Sequence, residues 1–139
     1  MALNTQFSIA THIMVSLGHV SGAEVNSALI AGSVNTSSSF VRRTLAKLSK
    51  AGLVETATGK RGACWLARPA RNISLLEIYR AVDAPKAFAI HQYPVERRCA
   101  VSCNIKSALS RVLDETQEAL EQRLSRISLE QVISDLHRK

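Results

Sequence analysis

The stretch that decides the fold covers residues 36–68 and reads TSSSFVRRTLAKLSKAGLVETATGKRGACWLAR. Its first half predicts a helix over 36–52. Three apolar residues recur there at the spacing of one helix face, namely Val41, Leu45 and Leu48. Thr36 or one of the serines that follow it can cap the start of this helix, and Gly52 is typical of its end.

The second half of the stretch predicts a β-hairpin over 53–68. Two strand-like runs, GLVET and CWLAR, flank the segment TGKRG at 58–62. Glycines on both sides of a pair of cations are typical of a tight turn. Cys64 and Trp65 are neighbours on the second strand, so one of them faces the helices and the other faces outward. We expect Cys64 to be structural.

The residues before this stretch predict two more helices. A first helix over 4–20 is indicated by a stripe of apolar residues: Leu3, Phe7, Ala10, Met14 and Leu17. SGAEVNSALIAGS at 21–33 predicts a short second helix, in which Ser21 and Glu24 form a capping box and Gly32 marks the end. Helix, short helix, turn, helix and hairpin is the order of a winged helix-turn-helix module. We therefore expect a mainly α fold with a small two-stranded β wing.

The positive charge of the chain is concentrated in the same stretch. The formal net charge is +7, and residues 35–68 alone carry +6. The charged residues there are Arg42, Arg43, Lys47, Lys50, Lys60, Arg61 and Arg68, against the single acid Glu55. Such clustering indicates a site for a polyanion, and a generally cationic surface that only aids solubility is the alternative.

This combination predicts contacts to double-stranded DNA. In winged-helix modules the third helix enters the major groove, where an arginine can bind guanine through two hydrogen bonds. Hydroxyl and backbone N–H groups at the start of that helix can contact phosphate or bases, and cations at the hairpin tip can enter the minor groove. The predicted DNA-binding residues are Ser37, Ser38, Ser39, Arg42, Arg43, Lys60, Arg61 and Gly62. The alternative is that the serines only cap the helix and the arginines only solubilise it.

The second half of the chain predicts further helices. The predicted elements are a helix over 73–83, a loop over 84–98, a long helix over about 102–125 and a last helix over 128–139. The apolar stripe of the long helix needs a partner surface. We expect this partner to be a second copy of the chain, in a homodimer, because a protein that binds a two-fold symmetric DNA site needs two subunits. The predicted domains are a winged helix-turn-helix DNA-binding domain at 1–70 and a helical dimerisation and sensor region at 71–139.

The run from SFVRRTLAKLSKAGLVET through GKRGACWLARPARNISLLEIYRAVD, with a loop cysteine and a long helix after it, resembles the Rrf2 type of bacterial transcription regulators. That family includes IscR, NsrR and CymR. The motifs AGSVNT (31–36), VRR (41–43) and ISLLEIYRAV (73–82) resemble its YwnA-like members in particular. The resemblance implies a dimeric repressor whose long helix crosses to the partner subunit. It also implies that the third helix and the wing contact a palindromic operator.

The chain departs from this family at the sensor. Cluster-binding members resemble one another in having three cysteines in the loop before the long helix, whereas this loop offers only Cys99 and Cys103, spaced CAVSC. We therefore expect no cofactor. An iron–sulfur cluster is the alternative, with His91 as a third ligand and His19 or an acid of the partner subunit as a fourth.

Cys99 and Cys103 are instead the candidates for redox sensing. Arg97 and Arg98 precede them and Lys106 follows, and both cations and a helix N-terminus stabilise a thiolate, which can be oxidised or alkylated. A bond between the two sulfurs is possible if Cys99 lies in the loop, but strained if both residues are helical. A bond across the dimer, a purely structural role for both residues and a small-molecule signal elsewhere are the alternatives.

Other classes of function lack their motifs. The sequence has no Gly-rich phosphate loop, no histidine pair at metal-binding spacing and no Ser–His–acid arrangement, so we expect no enzyme. His12 lies near the inner stripe of the first helix and is expected in the core. No apolar run approaches the ~18–20 residues of a membrane span, and no secretory signal opens the chain, which predicts a cytoplasmic protein. A winged helix that binds protein instead of DNA is the remaining alternative.

Overall fold

The computed structural model describes residues 4–19, 25–57 and 62–138. The elements are α1 (Gln6–His19), β1 (Val25–Asn26), α2 (Ser27–Val34), α3 (Ser38–Lys50), β2 (Val54–Thr56), β3 (Ala63–Leu66), a 3-10 turn (Ala70–Asn72), α4 (Leu75–Ala81), α5 (Ala100–Ser125) and α6 (Leu129–Asp135). The predicted order of helix, short helix, turn, helix and hairpin is confirmed, followed by the predicted helical second half.

The structure of α3 follows from its sequence. Ser37 is its N-cap, and the side-chain oxygen of Ser37 accepts a hydrogen bond from the Phe40 N–H at 3.2 Å. One face of the helix is buried: Val41, Thr44, Leu45 and Leu48. Beyond the helix, Gly52 has a φ of +79°, a conformation that glycine adopts without steric cost. The chain can therefore turn sharply into β2.

The wing is an antiparallel pair in which Val54 lies opposite Leu66, Glu55 opposite Trp65 and Thr56 opposite Cys64. The predicted two-stranded wing is confirmed, and β1 adds a short third strand on the other edge of β3, giving the order β1-β3-β2. As expected for alternating neighbours, Cys64 is buried while Trp65 is exposed. The Cys64 thiol donates to the Val25 carbonyl at 3.4 Å, so this cysteine fastens β1 to β3.

The predicted start and end of the second helix were wrong. α2 begins at Ser27, because Asn26 is its N-cap and accepts a hydrogen bond from the Leu29 N–H at 2.9 Å. The predicted cap residues Ser21 and Glu24 lie outside the described residues. At the other end the helix continues past Gly32, and Asn35 terminates it in the left-handed conformation with a φ of +67°.

The core joins the two halves of the chain. Fully buried side chains come from the first and third helices and also from α4 and α6: Ile13, Met14, Leu48, Ile78 and Leu129. Two backbone hydrogen bonds fasten the start of α6, from Leu75 N–H to Ile127 O at 2.9 Å and from Leu129 N–H to Ile73 O at 2.8 Å. α6 therefore completes the core of the winged helix-turn-helix region. The division at residues 70 and 71 stays a prediction.

One expectation about the core was wrong. His12 is exposed on α1 and not buried, and its Nε2 lies 2.9 Å from the Ser33 hydroxyl of α2. An imidazole at this position keeps contact with water and binds one polar neighbour. Burying it would have required partners for both ring nitrogens.

Candidate nucleic-acid interface and cysteine loop

The outer face of α3, opposite its buried stripe, is exposed and cationic. Its exposed residues are Ser39, Arg42, Arg43, Ala46, Lys47 and Lys50. None of the described carboxylates forms an ion pair with the cations among them. This face therefore presents positive charge around one small side chain, Ala46, on a rigid helix.

The serines at the start of α3 have different environments. The side-chain oxygen of Ser37 is occupied as the helix cap, Ser38 is half-buried, and Ser39 is exposed. The first N–H groups of a helix have no partner within the helix. Because the Ser37 oxygen is already bonded and Ser38 is half-buried, Ser39 is the side chain best placed to contact a ligand.

Each predicted arginine is held by a residue three positions earlier. The Arg42 guanidinium donates to the Ser39 hydroxyl at 3.2 Å, and the Arg43 guanidinium lies 5.8 Å from the centre of the Phe40 ring. The two guanidinium groups thus have different partners on the helix itself. Fixing a long side chain before it binds reduces the entropy lost on binding.

The wing is described up to its tip. Lys60 and Arg61 lie outside the described residues, and Gly62 is exposed with a φ of +56°. Behind the tip, the Trp65 ring is 46% exposed, and its Nε1–H donates to a Glu55 carboxylate oxygen at 2.8 Å. This cross-strand pair supports the outer surface of the hairpin.

The two loop cysteines have opposite hydrogen-bonding roles. Cys99 is the N-cap of α5, and its sulfur accepts from the Ser102 N–H at 3.4 Å. Cys103 lies in the first turn, and its thiol points to the carbonyl oxygens of Glu96 and Arg97 at 3.8 and 3.6 Å. Both residues are exposed free thiols. The Cys99 sulfur is therefore a hydrogen-bond acceptor at the start of the helix, whereas the Cys103 thiol is a donor to the loop.

α5 is long, and most of its residues are exposed, while several residues of its apolar stripe are half-buried. Of its 26 residues, all of them described, only Gln117 is buried. The predicted stripe contains the exposed residues Leu109 and Val112, at 36% and 54% exposure, and Val101 is exposed nearby. The end of α5 differs, because Leu124 packs against the core. The first five turns of the helix therefore present apolar side chains that this chain does not cover.

The family whose sequence model matches residues 3–135 is Rrf2, described as "Iron-dependent Transcriptional regulator". This chain belongs to the Rrf2 family. YwnA of Bacillus subtilis (strain 168), named as a candidate HTH-type transcriptional regulator, is 36% identical over 137 residues, which cover 96% of this chain and 98% of that protein.

Solved structures agree with this assignment. A crystal structure described as that of a candidate DNA-binding protein is 33% identical and has a TM-score of 0.74, covering 92% of this chain and 98% of that one. CymR, the global cysteine regulator of B. subtilis, shares the fold at 20% identity with a TM-score of 0.70, covering 96% of this chain and 97% of CymR. The predictions of the family, of the winged helix-turn-helix fold and of a non-enzymatic regulator are thus confirmed.

The Rrf2 description mentions iron, but the donor groups described in this chain do not fit an iron centre. Iron–sulfur clusters are held by sets of cysteine thiolates, and here the third cysteine, Cys64, is buried in the sheet. Within residues 4–19, 25–57 and 62–138, no three His, Cys, Asp or Glu side chains group to hold a metal. The proposed histidine ligands lie beside other rings, with His91 next to Tyr93 and His19 next to His137.

For this Rrf2 chain, sequence reasoning left three residues of the outer face out of the predicted site, namely Ala46, Lys47 and Lys50. The signal was available, because Ala46 follows Ser39, Arg42 and Arg43 at helical spacing. A small apolar side chain among base-reading residues can contact the methyl group of thymine. No helix in the described part of the chain is long and apolar enough to cross a membrane.

Proposed function

We propose that this Rrf2 chain is a homodimeric transcriptional repressor that acts in the cytoplasm and binds a palindromic DNA operator through α3 and the wing. The observation that carries the proposal is the division of α3 into a buried apolar face and an exposed cationic face. Because phosphate contacts supply much of DNA affinity and base contacts supply specificity, one helix face with serines, arginines and lysines can do both.

The residues of α3 take separate roles in this proposal. Arg42, oriented by Ser39, binds a guanine edge, and Arg43, stacked on Phe40, binds the backbone or a second base. Ser37 and Ser38 bring the helix start close to a phosphate. In the wing, Lys60, Arg61 and Gly62 follow the minor groove.

The dimer forms through the apolar surface of α5. Leu109 and Val112 are exposed in a single chain, and a second copy of α5 would cover them. Closed two-fold symmetry would then place two copies of α3 on successive half-sites of a palindrome, about 34–36 Å apart. The same surface used by both subunits makes the contact self-complementary.

The signal acts on Cys99 and Cys103. Both thiols are exposed at the junction between the loop and α5, where Cys99 caps the helix and the Cys103 thiol donates to carbonyl oxygens of the loop. Oxidation or alkylation of either sulfur would therefore disturb the start of α5. A small molecule as signal, with structural cysteines, is the alternative.

The test begins with selection of an operator from random duplexes by the wild-type protein, followed by measurement of its affinity at several salt concentrations. For the pair Arg42→Ala/Arg43→Ala we expect an operator Kd at least about thirty-fold higher, since each base-reading arginine contributes about 1–3 kcal/mol. The slope of affinity against salt should also decrease, because fewer counterions are released.

The matched control is Arg123→Ala/Arg126→Ala, which removes the same charge from exposed positions at the end of α5. Its operator affinity should stay close to wild type, and sedimentation should show both double variants as dimers. Unchanged affinity in the α3 variant would disprove the assignment of the recognition helix. If no duplex binds the wild-type protein with salt-sensitive affinity, a protein-binding winged helix replaces the proposal.

A further inference from the structure

Gln117 is the exception on α5. It is 7% exposed on a helix whose other residues are all more open, and it is polar. A buried amide costs free energy unless its oxygen and nitrogen both have partners. Its contacts therefore show what holds this part of α5 in place.

The Gln117 amide joins three elements. Its Nε2 donates to the Tyr79 hydroxyl of α4 at 3.0 Å, and its Oε1 accepts from the Ala87 N–H of the loop between α4 and α5 at 3.0 Å. The Tyr79 hydroxyl in turn donates to the Pro85 carbonyl at 2.5 Å. Both ends of the amide and the hydroxyl proton are thus used to fix residues 85–87.

We call the hydrogen bonds of Gln117 and Tyr79 to residues 85–87 the lock. Tyr79 connects this lock to the DNA-binding region. Its ring packs edge-on against Phe7 of α1, with centroids 5.7 Å apart. Three residues after Tyr79, at the end of α4, Val82 is buried. It lines a shallow cavity together with Phe40 and Arg43 of α3. The end of α4 therefore lies between the start of the loop and the recognition helix.

The far end of the same loop leads to the two cysteines, since Cys99 is the N-cap of α5 and Cys103 lies in the first turn of that helix. The last residues of the loop are fastened to α5 by the Ser102 hydroxyl, which accepts from the Glu96 N–H at 2.7 Å, and by Lys106, which donates to the Tyr93 carbonyl. The exposed middle of the loop joins these two anchors. Disturbance at one anchor can reach the other only if the loop moves as a unit.

We propose that Gln117 and Tyr79 are positioning residues that lock the loop to α4 and thereby set the orientation of α3 for DNA. The proposal rests on the proposed DNA-binding function. When the lock is closed, residues 85–87 and the end of α4 have one arrangement. When it opens, Val82 is no longer held against α3, and the outer face of α3 loses its alignment with the major groove.

The test uses three variants of the full chain: Gln117→Leu, Tyr79→Phe and the two combined. Gln122→Leu is the control, because it makes the same change at an exposed position of the same helix. Hydrogen–deuterium exchange is measured over residues 84–90, which include the Ala87 amide. Operator affinity is measured with the duplex selected by the wild-type protein.

We expect faster exchange at residues 84–90 and at least about five-fold weaker operator binding in each single variant, with little change in Gln122→Leu. The operator affinity of the double variant should equal that of whichever single variant binds the operator less tightly, because both changes open the same lock. Independent structural damage would instead give additive losses. Tyr79→Phe removes a single oxygen, so it keeps the test valid if Gln117→Leu fails to fold.

Two results would overturn the proposal. Unchanged exchange at residues 84–90 would show that the amide does not hold the loop, whether or not the protein binds DNA. Faster exchange with unchanged operator affinity would show that the loop is not coupled to α3. Failure of the proposed function itself is distinct, since it would appear in the wild-type protein as the absence of duplex binding.

Discussion

The winged-helix region and α5 bury their apolar residues in different ways. In α3, every apolar residue of one face is enclosed, with Val41 and Leu48 at 0% exposure. In α5, Leu109 and Val112 remain exposed at 36% and 54%. The winged-helix region therefore buries its apolar residues within one chain, whereas α5 has an apolar surface that the same chain does not cover.

The difference separates an apolar surface that is covered within the chain from one that the chain leaves uncovered. An amphipathic helix gains most of its stability by packing its apolar face. α5 gains little of this in a single chain, apart from Gln117 and its last turns, which join the core through Leu124. The comparison predicts that equal substitutions in the two regions have unequal effects on folding.

The largest effect is expected from Leu48→Ala in α3. Removing a fully buried leucine should lower the free energy of unfolding by about 2–5 kcal/mol, since the side chain leaves a cavity. Leu109→Ala in α5 makes the same change at an exposed site, and at low protein concentration it should cost below about 1 kcal/mol. Denaturant unfolding at several protein concentrations measures both. Equal losses at every concentration would remove the distinction between the regions.

The next effect is expected from Val112→Asp. A charge placed in an apolar dimer contact must lose its water, and symmetry brings two such charges close together. The dimer should weaken at least about ten-fold, equal to ~1.4 kcal/mol, while the fold of each chain is kept. Analytical ultracentrifugation with circular dichroism checks both statements. A point mutation is a cleaner test than removing α5 and α6 by truncating the chain, because such a truncation would also take Leu129 out of the core.

The test of the proposed α5 contact has its own control. Glu118→Asp alters an exposed acid of the same helix without adding charge, and it should leave the sedimentation of the protein unchanged. A Val112→Asp protein that still sediments as a stable dimer would place the interface elsewhere.

A smaller effect separates the two loop cysteines. Because the Cys99 sulfur accepts an N–H and the Cys103 thiol faces carbonyls, maleimide should alkylate Cys99 first. Brief treatment with limiting maleimide should weaken operator binding about ten-fold in wild type and in Cys103→Ser, but not in Cys99→Ser, because the slower Cys103 stays unmodified. Mass spectrometry identifies the modified residue. Cys64→Ser is the control, and loss of affinity on treatment of Cys99→Ser would refute this order.

The smallest effect concerns Glu77, which links the two halves of the chain. Burial raises the pKa of its carboxyl, but hydrogen bonds from the Ser74 backbone and Arg68, together with the charge of Arg68, outweigh burial and lower the pKa below its usual value. A lowered pKa contributes stability above the pKa of the unfolded chain, and this is lost as the pH falls through the folded value.

Glu77→Gln should therefore be less stable than wild type at pH 7, by a small amount because the Arg68–Glu77 pair is partly exposed. The difference should shrink below about pH 4.5, near the ordinary pKa of glutamate. Denaturant unfolding at pH 7 and pH 3 measures it. A difference that grows in acid would mean that Glu77 does not act as a stabilising carboxylate.

Much of α3 and the wing could be predicted from local sequence. The spacing of Val41, Leu45 and Leu48 selects the buried face and thereby the outer face with Arg42 and Arg43. Alternation along a strand separates Cys64 from Trp65. These features depend on residues a few positions apart, so a single sequence contains the needed information.

Only the tertiary structure decided the features that join distant residues. α2 begins at Ser27 and not at Ser21, since Val25 and Asn26 are extended and pair with β3, almost forty positions later. Gln117 lies four positions after Leu113 and three before Leu120, so helix periodicity places it on the apolar face of α5. Only the tertiary structure shows that Tyr79 and the Ala87 N–H meet its amide there. Composition and periodicity determine which face of an element is apolar. Its polar partners depend on long-range packing, which supplies the other half of each hydrogen bond.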